Sequence, residues 1–142
     1  MARYLAKNID FISWGSERVS GPLSGFPCAK ALARIGPSAW PDMAAELERG
    51  DPLHFSDQKI KLHAWVLISC YRYAGEVGAV EDAITAVKRL AVVPWRKKNF
   101  ERVEKVLNQI LQIYKKGKRS EEDRKVLTSL WPLTIKDSPD PK

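Results

Sequence analysis

The chain has 142 residues, of which 44% are hydrophobic and 29% charged. That is enough to bury a core without disulfide or metal staples, and too apolar for a wholly disordered protein. The formal net charge is +7, and no stretch approaches the roughly 20 apolar residues that cross a bilayer, which argues against a membrane partner and leaves a charge field to interpret.

In chain order, MARYLAKNIDF lacks the apolar block of a signal peptide, so a cytoplasmic protein is expected. Leu5, Ile9 and Ile12 have the spacing of a helix over Ala2–Ser13, although IDFISW also fits a short strand. After Trp14, GSERVSGPLSGFP reads as loop, so residues 1–26 are expected to be irregular. Pro27 and Gly36 frame a short helix whose apolar face would be Cys28, Ala31, Leu32 and Ile35. Pro41 and Gly50 frame another around Met43 and Leu47, and GDP at 50–52 marks a turn.

Ser56 has the position of an N-cap, with Phe55 before it and Ile60 four residues after it as a hydrophobic staple. Ile60, Ala64, Leu67, Ile68, Tyr71 and Ala74 then recur at helical spacing, and Trp65 and Val66 widen the stripe. A helix apolar on most sides belongs at the centre of a fold. Gly75 is its expected stop. Val77, Val80, Ile84, Val87 and Ala91 line the next helix. Pro94 closes that helix and opens another, since a first-turn proline lacks only an orphan N–H.

Residues 94–119, PWRKKNFERVEKVLNQILQIYKKGKR, predict one basic amphipathic helix. Phe100, Val103, Leu107, Ile110 and Tyr114 form its inward stripe, widened by Val106, Leu111 and Ile113. Gly117 is expected to end it in a left-handed turn. SEED at 120–123 starts a last helix, with Ser120 as cap and acids at the positive end of the dipole. Val126, Leu127, Leu130 and Trp131 would be its apolar face, and Pro132 its stop. The tail, residues 136–142, is expected to be flexible. The pattern is an all-α bundle of about five or six helices in one domain over residues 1–135, with no strand-length alternation and no solenoid repeat.

Chemistry is hard to find. His54, His63, Cys28 and Cys70 lack zinc-ligand spacing, so no metal or cofactor is expected. The cysteines read as buried thiols in a reducing compartment, and His63 as a helix-edge residue bonded to solvent or backbone. Glu81 and Asp82 are adjacent and diverge by about 100° on a helix. There is no nucleophile elbow and no glycine-rich phosphate loop. The expectation is a non-enzyme.

The charge is local. Residues 93–119 hold nine basic and two acidic side chains, and the remaining stretches cancel. With the stripe facing inward, Lys98, Arg102, Lys105, Gln109, Gln112 and Lys116 lie on the outer line. Glu101 is placed to pair with Lys105. The helix dipole accounts for Lys115 and Lys116, but not for Arg96, Lys97 and Lys98 at the end where cations are disfavoured. Trp95 beside them has the aromatic-plus-cation pattern that stacks unpaired bases. The candidate nucleic-acid contacts are therefore Trp95, Arg96, Lys97, Lys98, Arg102, Lys105, Lys115, Lys116, Lys118 and Arg119.

The expected function is sequence-tolerant phosphate contact with RNA or DNA, as an accessory or structural subunit of a nucleoprotein assembly with other protein subunits. The alternative is an interaction module, of inhibitor or immunity type, for an acidic protein partner. Five tryptophans, with Trp14 and Trp40 in loop-like surroundings, suit that alternative.

Overall fold

The computed structural model describes residues 1–13, 21–51, 53–90 and 98–132. Among them are seven α-helices and two 3-10 turns, and no strand. The helical bundle is as expected, with one helix more than the count read from the pattern.

The extra helix is α1, Ala2–Lys7. It is shorter than its apolar spacing implied. Asn8 Nδ2 donates to the Tyr4 carbonyl at 2.9 Å, the local competition by which asparagine ends helices. Ile9 still reaches the core, from a turn rather than a helix, at 1% exposure. Residues 11–13 beyond it are irregular, and the Ser13 amide donates to the Gly25 carbonyl at 2.9 Å.

Helix α2 is Pro27–Ile35, opened by its proline and followed by Gly36 at φ +91°. That φ lies in the region that glycine enters most easily. The buried face is Ala29, Leu32 and Ala33, whereas Ile35 is 40% exposed. The stripe is thus rotated from the expected one: α2 packs against both α1 and α4, and its alanines, not its isoleucine, face them. A 3-10 turn at Pro37–Ala39 leads into α3, Trp40–Arg49. Met43 and Leu47 of α3 are fully buried. Trp40 is also core, and its Nε1 donates to the Ala86 carbonyl at 3.0 Å.

Helix α4, Asp57–Cys70, is capped by Ser56, whose side chain accepts from the Lys59 amide. Every residue from Leu62 to Leu67 is buried, and α4 packs against α2, α5 and α6. It is the central helix that its composition called for. It stops before Gly75. Arg72–Ala74 form a 3-10 turn, and Gly75, at φ +85°, ends that turn instead.

Helix α5 is Glu76–Leu90 and lies along α6, Lys98–Tyr114. Helix α7 is Glu121–Ser129, opened by a capping box between Ser120 and Asp123. None of its own residues is buried, and Val126 is 39% exposed. Its expected apolar face is therefore carried mainly by Leu130 just beyond it. Leu130 is buried, and its carbonyl accepts from Trp65 Nε1 at 3.0 Å.

The buried side chains form one cluster running from Ala6 to Leu130. Trp14 and residues 15–20 of the loop after it, Pro52 of the GDP turn, Ala91, Pro94, Trp95, Arg96, Lys97 and the tail 136–142 lie outside the described residues.

Candidate nucleic-acid interface

Helix α6 buries the stripe read from its sequence: Phe100, Val103, Val106, Leu107, Ile110, Leu111 and Ile113 are all core. Tyr114 is half-buried. Phe100 meets Trp40 edge to face, with ring centroids 6.1 Å apart. This packing fixes which side of α6 faces outward, and Lys98, Lys105, Gln109 and Gln112 are exposed there.

Arg102 is on the outer line by spacing but is not free. Its guanidinium donates to the Phe55 carbonyl at 2.8 Å and to Asp57 Oδ1 at 2.5 Å. It joins α6 to the start of α4. One turn earlier, Asn99 is 1% exposed. Its Nδ2 donates to the Leu47 and Gly50 carbonyls at 2.9 and 3.0 Å. Asn99 and Arg102 thus clasp the link between α3 and α4. A side chain on Gly50 would run into the Phe55 ring, so glycine there permits the close packing.

Lys115 to Arg119 lie beyond α6, in the link to α7, and not in its last turn. Gly117 is not among the glycines with positive φ, so the expected left-handed stop is absent. Lys115 and Lys116 instead close the helix end through their backbone amides, to Leu111 and Ile113. The Lys116 ammonium pairs with Asp123 at 2.7 Å, and that cation and the Ser120 amide hold the Asp123 carboxyl down at about 2. Arg119 pairs with Glu76 and lies over the Tyr114 ring, 4.7 Å from its centroid.

The ten candidate residues therefore separate into three groups. Trp95, Arg96 and Lys97 are outside the described residues. Arg102, Lys116 and Arg119 are held in ion pairs within the chain. Lys98, Lys105, Lys115 and Lys118 are exposed, and among the described residues their side chains have no hydrogen-bond or ion-pair partner. The Glu101–Lys105 pair that the spacing allowed is not formed among the described residues; an exposed pair gains little from contact. Glu104 pairs with Lys88 of α5 at 3.6 Å. A shallow groove along the outer side of α6 is lined by Glu101, Glu104, Lys105, Asn108, Gln109 and Gln112, so acids flank the basic line more closely than spacing alone implied.

Two further features were not read from the sequence. Arg72 lies over the ring of Tyr73, 4.8 Å from its centroid, and donates to its hydroxyl at 3.0 Å. Tyr73 is 87% exposed. The adjacent aromatic and cation in YRY carry the same signal that singled out Trp95. Glu76, in the first turn of α5, is the residue that brings Arg119 to this corner.

The residues weighed for metal or acid-base chemistry lie apart in role. His54 pairs with Asp51 at the surface, whereas His63 is fully buried, not at a helix edge. Burial pushes the Cys70 thiol up to about 11, which leaves it little thiolate character at neutral pH. Among the described residues, no three His, Cys, Asp or Glu side chains group as metal ligands, and no helix is long and apolar enough to cross a membrane.

The chain matches no family model, no curated protein and no solved structure.

Proposed function

We propose that this chain is a non-catalytic, sequence-tolerant nucleic-acid-binding protein that works within a larger nucleoprotein assembly. The observation that carries the proposal is the set Lys98, Lys105, Lys115 and Lys118. These are exposed cations whose side chains lack partners among the described residues, distributed along a helix roughly 25 Å long and the link after it. An ammonium with no carboxylate to satisfy it is available to a phosphate. Arg96 and Lys97 directly precede Lys98 in the chain and would add to the same charge. A face of this size gives modest affinity alone, and co-assembly with other subunits multiplies it.

The test is binding of a mixed-sequence single-stranded oligonucleotide across a salt series. Each phosphate contact on a single strand contributes roughly 0.7 to the slope of log K against log salt. Changing Lys98, Lys105, Lys115 and Lys118 to Gln should lower that slope by about 2 to 3. Arg102 is kept, because its loss would act on the fold. No binding at low salt removes the proposal.

The rival is an acidic protein partner, met as an inhibitor or immunity-type protein meets its target. The line of exposed lysines would give such a partner electrostatic steering. The tryptophan support is weaker than the sequence implied, since Trp40 and Trp65 are core and Trp14 is outside the described residues.

A further inference from the structure

At the corner between α4 and α5 lies a cleft of about 250 Å³. Its walls include Leu23, Ile68, Ala79 and the rings of Trp65 and Tyr114. The volume falls just below the roughly 300–1,000 Å³ of sites for drug-sized ligands, so it suits a single small ring system. Arg72 and Glu76 also line it. Arg119 reaches both the Glu76 carboxylate and the Tyr114 ring, so its guanidinium bridges two residues of the cleft wall. Lys115 follows Tyr114 directly in the chain and Lys118 precedes Arg119. The cleft thus has Arg72 in its wall and Arg119 held against it, opposite one carboxylate, Glu76, and the exposed Lys115 and Lys118 belong to the link that carries Arg119.

We propose that this cleft takes one unpaired base of a single-stranded nucleic acid, with the flanking phosphates on Lys115, Lys118 and Arg72. The inference rests on the nucleic-acid function above and adds the place where a base, not only the backbone, is held. The complementarity is direct: a strand brings a flat π-face to the half-buried Tyr114 ring and the apolar wall, and phosphates to Arg72 and the exposed lysines of the link. Arg119 then has two anionic partners in reach, and exchanges part of its contact with Glu76 for phosphate. Any base has a π-face, so occupancy carries little sequence preference.

The experiment compares the full-length protein on a twelve-nucleotide thymidine strand and on an abasic sugar–phosphate strand of equal length and charge. The expected result is that the base-bearing strand binds roughly fivefold tighter or more, the low end of what one stacked base contributes. Ser69 lines the cleft from α4, and Ser69→Trp, which fills it, should bring that ratio to about one and leave abasic binding unchanged. Leu23→Trp, at a second lining residue outside α4, should do the same and stands in where the first variant fails to fold. Equal affinity for both strands in the unaltered protein overturns the cleft while leaving phosphate binding intact. A ratio that survives both fillings also overturns it. A ratio lost only in Tyr73→Ala overturns it as well, by placing the base on the exposed ring. Absence of binding to either strand removes both this inference and the function it rests on.

Discussion

His63 is the least accommodated polar side chain among the described residues. It sits on the central helix with no solvent exposure. Its Nδ1 is 2.7 Å from the Lys59 carbonyl, which requires the proton on Nδ1. Nε2 then has no hydrogen-bond partner, although the Met43 backbone lies close enough to oppose the effect of burial. Burial dominates and pushes the imidazole from 6.5 down to about 4. The folded protein therefore keeps His63 neutral, while the unfolded chain takes up a proton below its ordinary value. Stability is at its full value above pH 6.5, falls as the pH drops toward 4, and levels off below that. At about 1.4 kcal/mol per pH unit, the loss is about 3 kcal/mol. Denaturant midpoints at pH 7, 5.5 and 4.5 should show this slope in the natural chain, and His63→Leu should flatten it. Asp123 does not blur the window. Its carboxyl is held below the usual range, so its contribution is present above pH 3.8 and is lost only as the pH falls toward 2. A natural chain with equal midpoints at pH 7 and 4.5 would contradict the assignment.

The elements show what was legible in the sequence and what was not. Helix starts depend on one or two residues, and Pro27, Ser56 and Ser120 all open helices where their chemistry said they would. The stripes of α4 and α6 were equally legible, because burial recurs with the helical period. Partners distant in sequence were not. Arg102 has the spacing of a solvated cation, and only the arrival of Phe55 and Asp57, more than 40 residues earlier in the chain, turns it inward. Arg119 and Glu76 are separated by a similar distance. The site was thus half legible: the location of the charge was plain, while the number of cations left free depends on tertiary pairing. For α6 this predicts an order of stability effects. Asn99→Ala leaves two carbonyls without their buried donor and should cost about 2 kcal/mol or more. Arg102→Gln should cost less, because its carboxylate partner Asp57 is 84% exposed and surface pairs contribute little. Lys105→Gln should leave stability unchanged within about 0.5 kcal/mol. Thermal or urea unfolding of the three variants measures the order, and Lys105→Gln as the most destabilised of the three would reverse the picture of which residues hold the fold and which face a partner.

For the whole molecule, burial is unevenly distributed, and so is resistance to opening. Helix α4 is shielded on several sides, whereas α7 has no buried residue of its own. Helix α7 is held at its start by the Ser120–Asp123 capping box and the Lys116 ion pair, and at its end by the Trp65–Leu130 and Lys61–Ser129 bonds. Most of these are polar contacts at the surface, so local release of α7 requires little loss of apolar burial. The link carrying Lys115, Lys118 and Arg119 lies between the firm end of α6 and this loosely held helix. In the proposed binding mode, that position would let Arg119 move between Glu76 and a phosphate without disturbing the core. Amide hydrogen exchange should follow the same gradient. Amides of α4 should exchange only with global unfolding, and those of α7 through a separate local opening. Ser120→Ala removes a cap worth about 1 kcal/mol, which should speed α7 exchange roughly fivefold and leave the α4 amides unchanged. Equal protection of α7 and α4 would mean that the last helix opens with the core, and the link would then lack the independent motion that exchange of Arg119 requires.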